Sequence, residues 1–359
     1  MTTNLSVIVG GGGVGKTTTA AALALARARA GAKALVITVD PARRLADALG
    51  VSVGSDTSRV QIDGVSLHAR MPDSRRSVEQ FADWLFAERP EVGKRVRDNP
   101  LYRELADALV GMHEMVCVAI VNQELASGDY DEVVLDTAPS RHALEFIDYP
   151  TRLVQMLEAR TLRWIASMAS YAGVSLADQP RGRGLLAWGK RRIQALLGKV
   201  AGNLALSDVS ALFQDLIQVR ERWLELLGQV QQRLDSEQTR YLVVSAPGDA
   251  SLADAEYLLL ELSRRSRRTH GVFVNRAVER VPAWLTDLDP GQDELLAAVH
   301  RDYLAEYQAR ASRTAHARER IARAAGPDVP LKVLPALPTS DPRVILSGLA
   351  DVLAERQAP

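Results

Sequence analysis

Near the amino terminus, the run Gly10-Gly11-Gly12-Gly13-Val14-Gly15-Lys16-Thr17-Thr18 has the composition and spacing to hold a polyphosphate. From Gly10 it fits the Walker A pattern G-x-x-x-x-G-K-[ST]. Its glycines let successive backbone N–H groups converge on phosphate oxygens with no Cβ in the way. Lys16 is the cation that would reach the β- and γ-phosphates, and the Thr17 hydroxyl would ligate magnesium. The candidate nucleotide contacts are therefore Gly10, Gly12, Gly13, Val14, Gly15, Lys16, Thr17 and Thr18. Two later carboxylates complete the chemistry. Asp40 lies in the run Val39-Asp40-Pro41-Ala42, at the end of the second predicted strand, and can point at the terminal phosphate. Asp136 ends the apolar run Val133-Val134-Leu135, a Walker B pattern, and would hold magnesium through a water, because magnesium keeps several of its waters. Plainer readings exist: a glycine turn before an ordinary helix, Asp40 as a helix N-cap, Asp136 as a turn former. Three matches at three expected strand ends outweigh them.

The elements that must position these residues can be read from the flanks. The apolar run 5–9 precedes the glycine loop and an alanine-rich run, 20–30, follows it, so the loop sits between a strand and a helix. Further strands are predicted at 34–39, 65–69, 132–135, 241–245, 271–275 and 331–334. Strands alternating with helical patterns imply an α/β fold with a mostly parallel, doubly wound sheet, the carboxyl ends of its strands opening on one edge. Residues 151–238 show no convincing strand. The predicted organisation is a discontinuous phosphate-loop domain, 1–150 and 239–359, interrupted by a helical insertion at 151–238.

Within the insertion, Leu212, Leu216, Val219, Trp223, Leu226 and Val230 alternate by four and three, one stripe of a long helix. Such a stripe packs on neighbouring helices or forms a surface for a partner. Pro180-Arg181-Gly182-Arg183-Gly184 reads as a loop, and 185–206 as a basic amphipathic segment or a solvated helix face. The run Arg264-Arg265-Ser266-Arg267-Arg268 suits a helix end, where cations complement the dipole. His113 has no second histidine at metal spacing and reads as a helix-surface residue, and His142 reads as a residue that caps or hydrogen-bonds locally.

Lys and Arg together number 44, as do Asp and Glu, so no basic excess points to nucleic acid. Cys117 is the single cysteine, which excludes an internal disulfide framework and a C-x-x-C site, and fits a cytoplasmic setting. No apolar run approaches the ~18 residues of a membrane span. The strand predicted at the very start of the chain leaves no room for a signal peptide.

The Gly-Gly-Val-Gly-Lys-Thr-Thr core, the Asp40-Pro41-Ala42 motif and the run Asp136-Thr137-Ala138-Pro139-Ser140-Arg141-His142-Ala143-Leu144 resemble the ArsA-type anion-transporting ATPases. Their relatives include the ATPases that target tail-anchored membrane proteins, within the deviant-Walker phosphate-loop NTPases of the MinD and ParA group. The resemblance covers essentially the whole chain. It implies an ATP- and magnesium-dependent ATPase in which Asp40 belongs to switch I and activates the attacking water, so that Asp40 and Lys16 are the catalytic residues and Thr17 and Asp136 the metal residues. Residues 136–144 would be switch II, reporting nucleotide state to the insertion. It also implies that Asn275 bonds adenine and that a loop near Pro335 covers the base, although Asn275 reads equally well as a strand-end turn residue.

Three departures qualify the resemblance. The family's signature lysine, at the second loop position, is Gly11 here; Arg43, Arg44 or Arg141 would have to substitute, or a lysine-bearing paralogue donate one. A lone cysteine cannot bind arsenite as several do. There is no C-x-x-C pair to join a zinc-bridged dimer and no methionine cluster to receive clients, so Leu, Ile and Trp would have to serve. The expected partners are ATP, a second subunit as homodimer or paralogous heterodimer, and a hydrophobic client or membrane protein. A nucleotide-gated switch with little hydrolysis is the alternative. A MinD- or ParA-like positioning protein ranks last, because the carboxyl-terminal apolar helix, 344–353, lacks a lysine-rich face.

Overall fold

The carboxyl ends of β1 (Asn4–Gly10), β2 (Ala34–Thr38) and β5 (Glu132–Asp136) all meet at one edge, because these strands run parallel in adjacent register. The computed structural model describes residues 3–39, 44–100, 102, 112–139, 141–157, 206–291 and 293–355. Asp40, Arg43, the loop 180–184, the basic segment up to 205 and the side chains of His113, Glu114, Arg141 and His142 lie outside what is described.

One sheet has eight strands in the order β3-β4-β2-β5-β1-β6-β7-β8. β4 (Val65–Arg70), β6 (Thr239–Ser245), β7 (Thr269–Ala277) and β8 (Leu331–Pro335) join the parallel set. Only β3 (Ser58–Ile62) is antiparallel, returning into β4 through Asp63-Gly64, whose φ values of 50° and 78° make a two-residue hairpin turn. β3 is not among the strands predicted from the sequence. Its signal is nonetheless present, since Asp-Gly between alternating residues is a strong hairpin mark.

Both faces of the sheet are covered. α1 (Lys16–Arg29) lies on β2, β4 and β5, and its run from Ala20 to Ala26 is buried on all sides. Alanine permits this because α12 (Pro342–Ala354) packs on the outer side of α1. Ile8, Val36 and Val134 point into that core together with Leu25, Leu346 and Leu349. α2 (Arg44–Leu49) seals the same layer, and α9 (Asp249–Arg264) lies against β6, β1 and β7. α10 (Ala283–Thr286) and α11 (Glu294–Ala325) follow β7. The carboxyl-terminal part of α11 is anchored on β7 and α9 by the buried Thr314, Ala317 and Ile321 and by an Arg320–Glu256 fork of 3.0 and 2.8 Å.

The chain forms two units: 1–72, 123–146 and 235–359 carry the sheet; 73–122 and 147–234 make the second, whose described elements are helices. This grouping places 73–122, which strand-and-helix alternation counts with the sheet, among the helices. The helical unit contains α3 (Ser74–Leu85), α4 (Pro90–Asp98), most of α5 (Met112–Ser127) and of α6 (Arg141–Met156), then α7 (Leu206–Gln218) and α8 (Arg220–Leu234). The stripe from Leu212 to Val230 is not one helix. It breaks at Val219, where the backbone turns and α8 begins, while the apolar side chains stay directed inward, with Leu216 half-buried. Trp223 meets Phe81 edge-on at 6.1 Å, and Arg95 forks onto Asp215, tying α4 to α7.

Candidate functional site

The glycine loop is held from three sides. Gly10 pairs with Val244 across β1 and β6, and a Cβ there would stand 2.3 Å from the Val244 carbonyl, so no other residue fits without moving β6. Gly15 caps α1 at φ 90°, and a Cβ on it would meet the Asn275 amide at 2.3 Å. Asn275, at the end of β7, donates from Nδ2 to the Val14 carbonyl at 2.9 Å and accepts from the Arg276 N–H at 2.9 Å. A residue 261 positions away thus clamps the middle of the loop.

Lys16 is buried at the start of α1, its Nζ donating to the Gly11 carbonyl at 2.8 Å. Beside it the Thr17 hydroxyl donates to Asp136 Oδ2 at 2.7 Å, and Thr38, from the end of β2, donates to the same oxygen at 2.9 Å. Asp136 is fully buried. Thr137 fastens the strand end by donating to the Ile8 carbonyl at 2.7 Å. Parallel register explains the convergence, since Asp136 is the partner of both Ile8 and Thr38.

A cleft of about 670 Å³ opens over this edge. Gly13, Gly15, Lys16, Thr17 and Thr18 form its floor, with Asn275 and Pro335 at one side. The β8–α12 connection adds Ala336, Leu337 and Thr339, docked by the Ala336 N–H on the Ala277 carbonyl at 2.8 Å. Three arginines also line it: Arg44 of α2, Arg276 and Arg310 of α11. Sequence reasoning misses Arg276 and Arg310; Arg276 is one of few described non-glycine residues at positive φ, 57°, and Arg310 carries no sequence mark.

The residues fit a magnesium–nucleotide. Three loop glycines, Gly10, Gly11 and Gly15, stand where a Cβ would collide, and a hydroxyl and a carboxylate lie within 2.7 Å of each other. Among the described residues no group of three or more His, Cys, Asp and Glu could hold a metal alone. Magnesium does not require one, as it binds through one or two carboxylates together with substrate phosphates. At Gly11 a Cβ would lie 2.6 Å from Oδ2 of Asp254 in α9, so this position is closed to a long side chain unless Asp254 moves.

Similarity to known proteins agrees with this geometry. The family described as Anion-transporting ATPase matches residues 3–179. ATPase get3 of Aspergillus terreus is 29% identical over 243 residues, covering 67% of this chain and 64% of that protein. ATPase get3 of Aspergillus niger is 29% identical over 251 residues, covering 67% and 63%, and that of Schizosaccharomyces pombe 27% over 253 residues, covering 67% and 64%. The match to each relative therefore spans somewhat less than two thirds of that relative's length. With a phosphate loop closed by its own strand neighbours and an aspartate under it, the chain is similar over residues 3–179 to the ArsA-type anion-transporting ATPases.

Proposed function

We propose that the protein is a magnesium-dependent ATPase that uses ATP binding and hydrolysis to switch conformation for a hydrophobic client or a membrane transport partner. The observation that carries this reading is the Thr17–Asp136 pair beneath a glycine loop whose tight positions admit only glycine. Bound magnesium would supply charge neutralisation between the phosphates, held by Thr17 and, through water, Asp136. The chain's own residues do the rest. Backbone N–H groups of Gly12 to Thr18 orient the phosphates at the positive end of α1. Lys16 leaves the Gly11 carbonyl to neutralise the terminal phosphates. Asp40 holds the attacking water and accepts its proton. Asn275 and Pro335 border the base, with Asn275 also keeping the loop in shape. The cytoplasm is the setting that fits, and no described helix is long and apolar enough to cross a membrane.

Two variants test the reading. Lys16→Ala should abolish ATP affinity, read by titration with a fluorescent ATP analogue; undiminished affinity removes Lys16 from the site. Asp40→Asn should keep magnesium–ATP and lose hydrolysis; turnover at the parent rate makes Asp40 structural.

A second reading, a nucleotide-gated switch with little hydrolysis of its own, is favoured by Gly11, which offers no cation to a facing subunit. Adding a lysine-bearing paralogue should raise a slow rate, by up to about 10³–10⁵ where such a finger acts in other phosphate-loop enzymes. Gly11→Lys alone is obstructed by Asp254 and is best combined with Asp254→Ala.

A further inference from the structure

Arg310 lines the cleft from α11, and its place there is fixed by a buried joint. Thr314, one turn further along the helix, is buried; its hydroxyl donates to the Arg310 carbonyl at 3.0 Å and accepts from the Val278 N–H at 3.1 Å. Arg310 is thereby held where α11 meets the end of β7. Strand order then decides which part of a nucleotide reaches it. The Thr17–Asp136 pair, at the ends of β1 and β5, takes the metal and the terminal phosphates. In the order β5-β1-β6-β7, β7 lies three strand spacings from β5, about 14 Å. With the phosphates over the loop, the group that extends to the β7 end is the nucleoside. The β8–α12 connection reaches the same end from the other face of the sheet. α12 shares one core cluster with α1, and Leu337 packs against it, whereas α9 and α11 contribute nothing to that cluster. Pro335, Ala336 and Leu337 make this side of the cleft apolar.

The chemistry of Arg310 suits a flat ring. Its guanidinium stands over the Tyr307 ring at 5.5 Å. No carboxylate among the described residues bridges it, although Arg313, Arg318 and Arg320 of the same helix bridge Glu306, Glu279 and Glu256. A guanidinium is planar, more weakly hydrated than an ammonium, and stacks on aromatic faces. Asn275, the residue nearest in the chain to this end of the cleft, has its amide engaged at both atoms, on Val14 and on the Arg276 N–H. We infer that Arg310 holds the base of the nucleotide. Its guanidinium, backed by Tyr307, stacks on one face of the purine, and Pro335, Ala336 and Leu337 cover the other. Every base has a π-face, so this contact adds affinity without choosing between adenine and guanine. The inference rests on the ATPase reading and assigns to α11 a contact that reading does not contain.

Calorimetric titration of the full chain with magnesium and ATP, ADP, GTP or inorganic tripolyphosphate tests it. Tripolyphosphate carries the phosphates and no base. Arg310→Ala should weaken ATP, ADP and GTP each by about 10-fold or more, the size of one lost base stack, and leave tripolyphosphate unchanged. Arg310→Phe, flat but neutral, should keep most of the nucleotide affinity; Arg310→Lys, charged but not flat, should not. Thermal melting without ligand checks that each variant is folded. Rescue by lysine and not by phenylalanine, or an equal loss of tripolyphosphate, would make Arg310 a phosphate cation and overturn the inference. A loss for ATP but not for GTP would make it a reader of the base edge, with the same consequence. If the parent binds ATP and tripolyphosphate and Arg310→Ala binds ATP equally well, this inference alone fails. If the parent binds neither, the ATPase reading fails and takes this inference with it.

Discussion

The carboxyl edge of the sheet and the outer half of α11 are opposites. At the edge, polar groups are buried and their partners are short-range and specific: Lys16 on Gly11, Thr17 and Thr38 on Asp136, Asn275 on Val14. On that half of α11 the apolar groups Leu295, Leu296, Val299 and Tyr303 are exposed. Elsewhere in the sheet unit most large apolar residues lie inside and most charged ones outside, with isolated exceptions such as Leu260, Val344 and Glu132. The difference teaches where to look: a departure from that rule in either direction has a stability cost that folding alone does not repay, so it marks a place shaped by a ligand or a partner.

The comparison is tested most strongly by truncating one leucine from each side of it. Leu25→Ala, in the packed α1 core, should cost about 2–5 kcal/mol, whereas Leu295→Ala should change stability by no more than about 0.5 kcal/mol. Denaturant titration of both variants checks this, at a concentration where any dimer is dissociated. Equal costs would mean that the outer half of α11 is packed in solution and that the contrast is false.

Next in size is the clamp. Asn275→Ala leaves the buried Val14 carbonyl without its donor, a loss of about 1–3 kcal/mol. It should lower the melting temperature without nucleotide and weaken ATP and GTP alike, measured by thermal shift and titration. A variant with normal stability but an altered ATP-to-GTP ratio would give Asn275 a role in base recognition alone.

The smallest effect is on pH. Burial, and then the Arg268 charge, hold the His270 pKa below its ordinary 6.5, while Nδ1 accepts from the Tyr241 N–H at 3.3 Å, where β6 and β7 shift register. The unfolded chain therefore takes up this proton first. Stability is fully present above about 6.5 and declines as pH falls below it. His68, lowered by burial and then by Lys33, adds in the same direction. Melting curves between pH 7.5 and 5, taken as about this window, should flatten slightly in His270→Gln. An unchanged slope would remove His270 as a contributor.

Much of this architecture is legible in the sequence because its signals are local. A strand, a glycine loop and a helix follow one another along the chain, so their order alone locates Gly10 to Thr18 at a strand end. The strand ends bearing Asp136 and Asn275 follow from apolar runs. What is not legible depends on distance or on one missed turn. Asn275 contacts Val14 only because β7 lies two strands from β1, and strand order is not written in any single segment. Arg310 reaches the cleft because α11 crosses it, for which no spacing rule exists. β3 escapes notice although Asp63-Gly64 announces it. The stripe from Leu212 to Val230 keeps its period through a break, since a turn that preserves the inward direction leaves the apolar pattern intact.

α11 has one more consequence, which is mechanical. It is a beam of 32 residues, about 48 Å long. Its inner end is clamped by Thr314, Ala317 and Ile321, and Arg310 stands where it leaves the clamp, on the wall of the cleft, with its guanidinium 5.5 Å from the Tyr307 ring. Leu295 is about 22 Å further out along the axis. A tilt of about 5° at Arg310 would therefore carry Leu295 sideways by about 2 Å, more than a side chain can move without repacking at a helix contact. The beam thus has the gain to convert a small change at the cleft into a step that its far end cannot ignore.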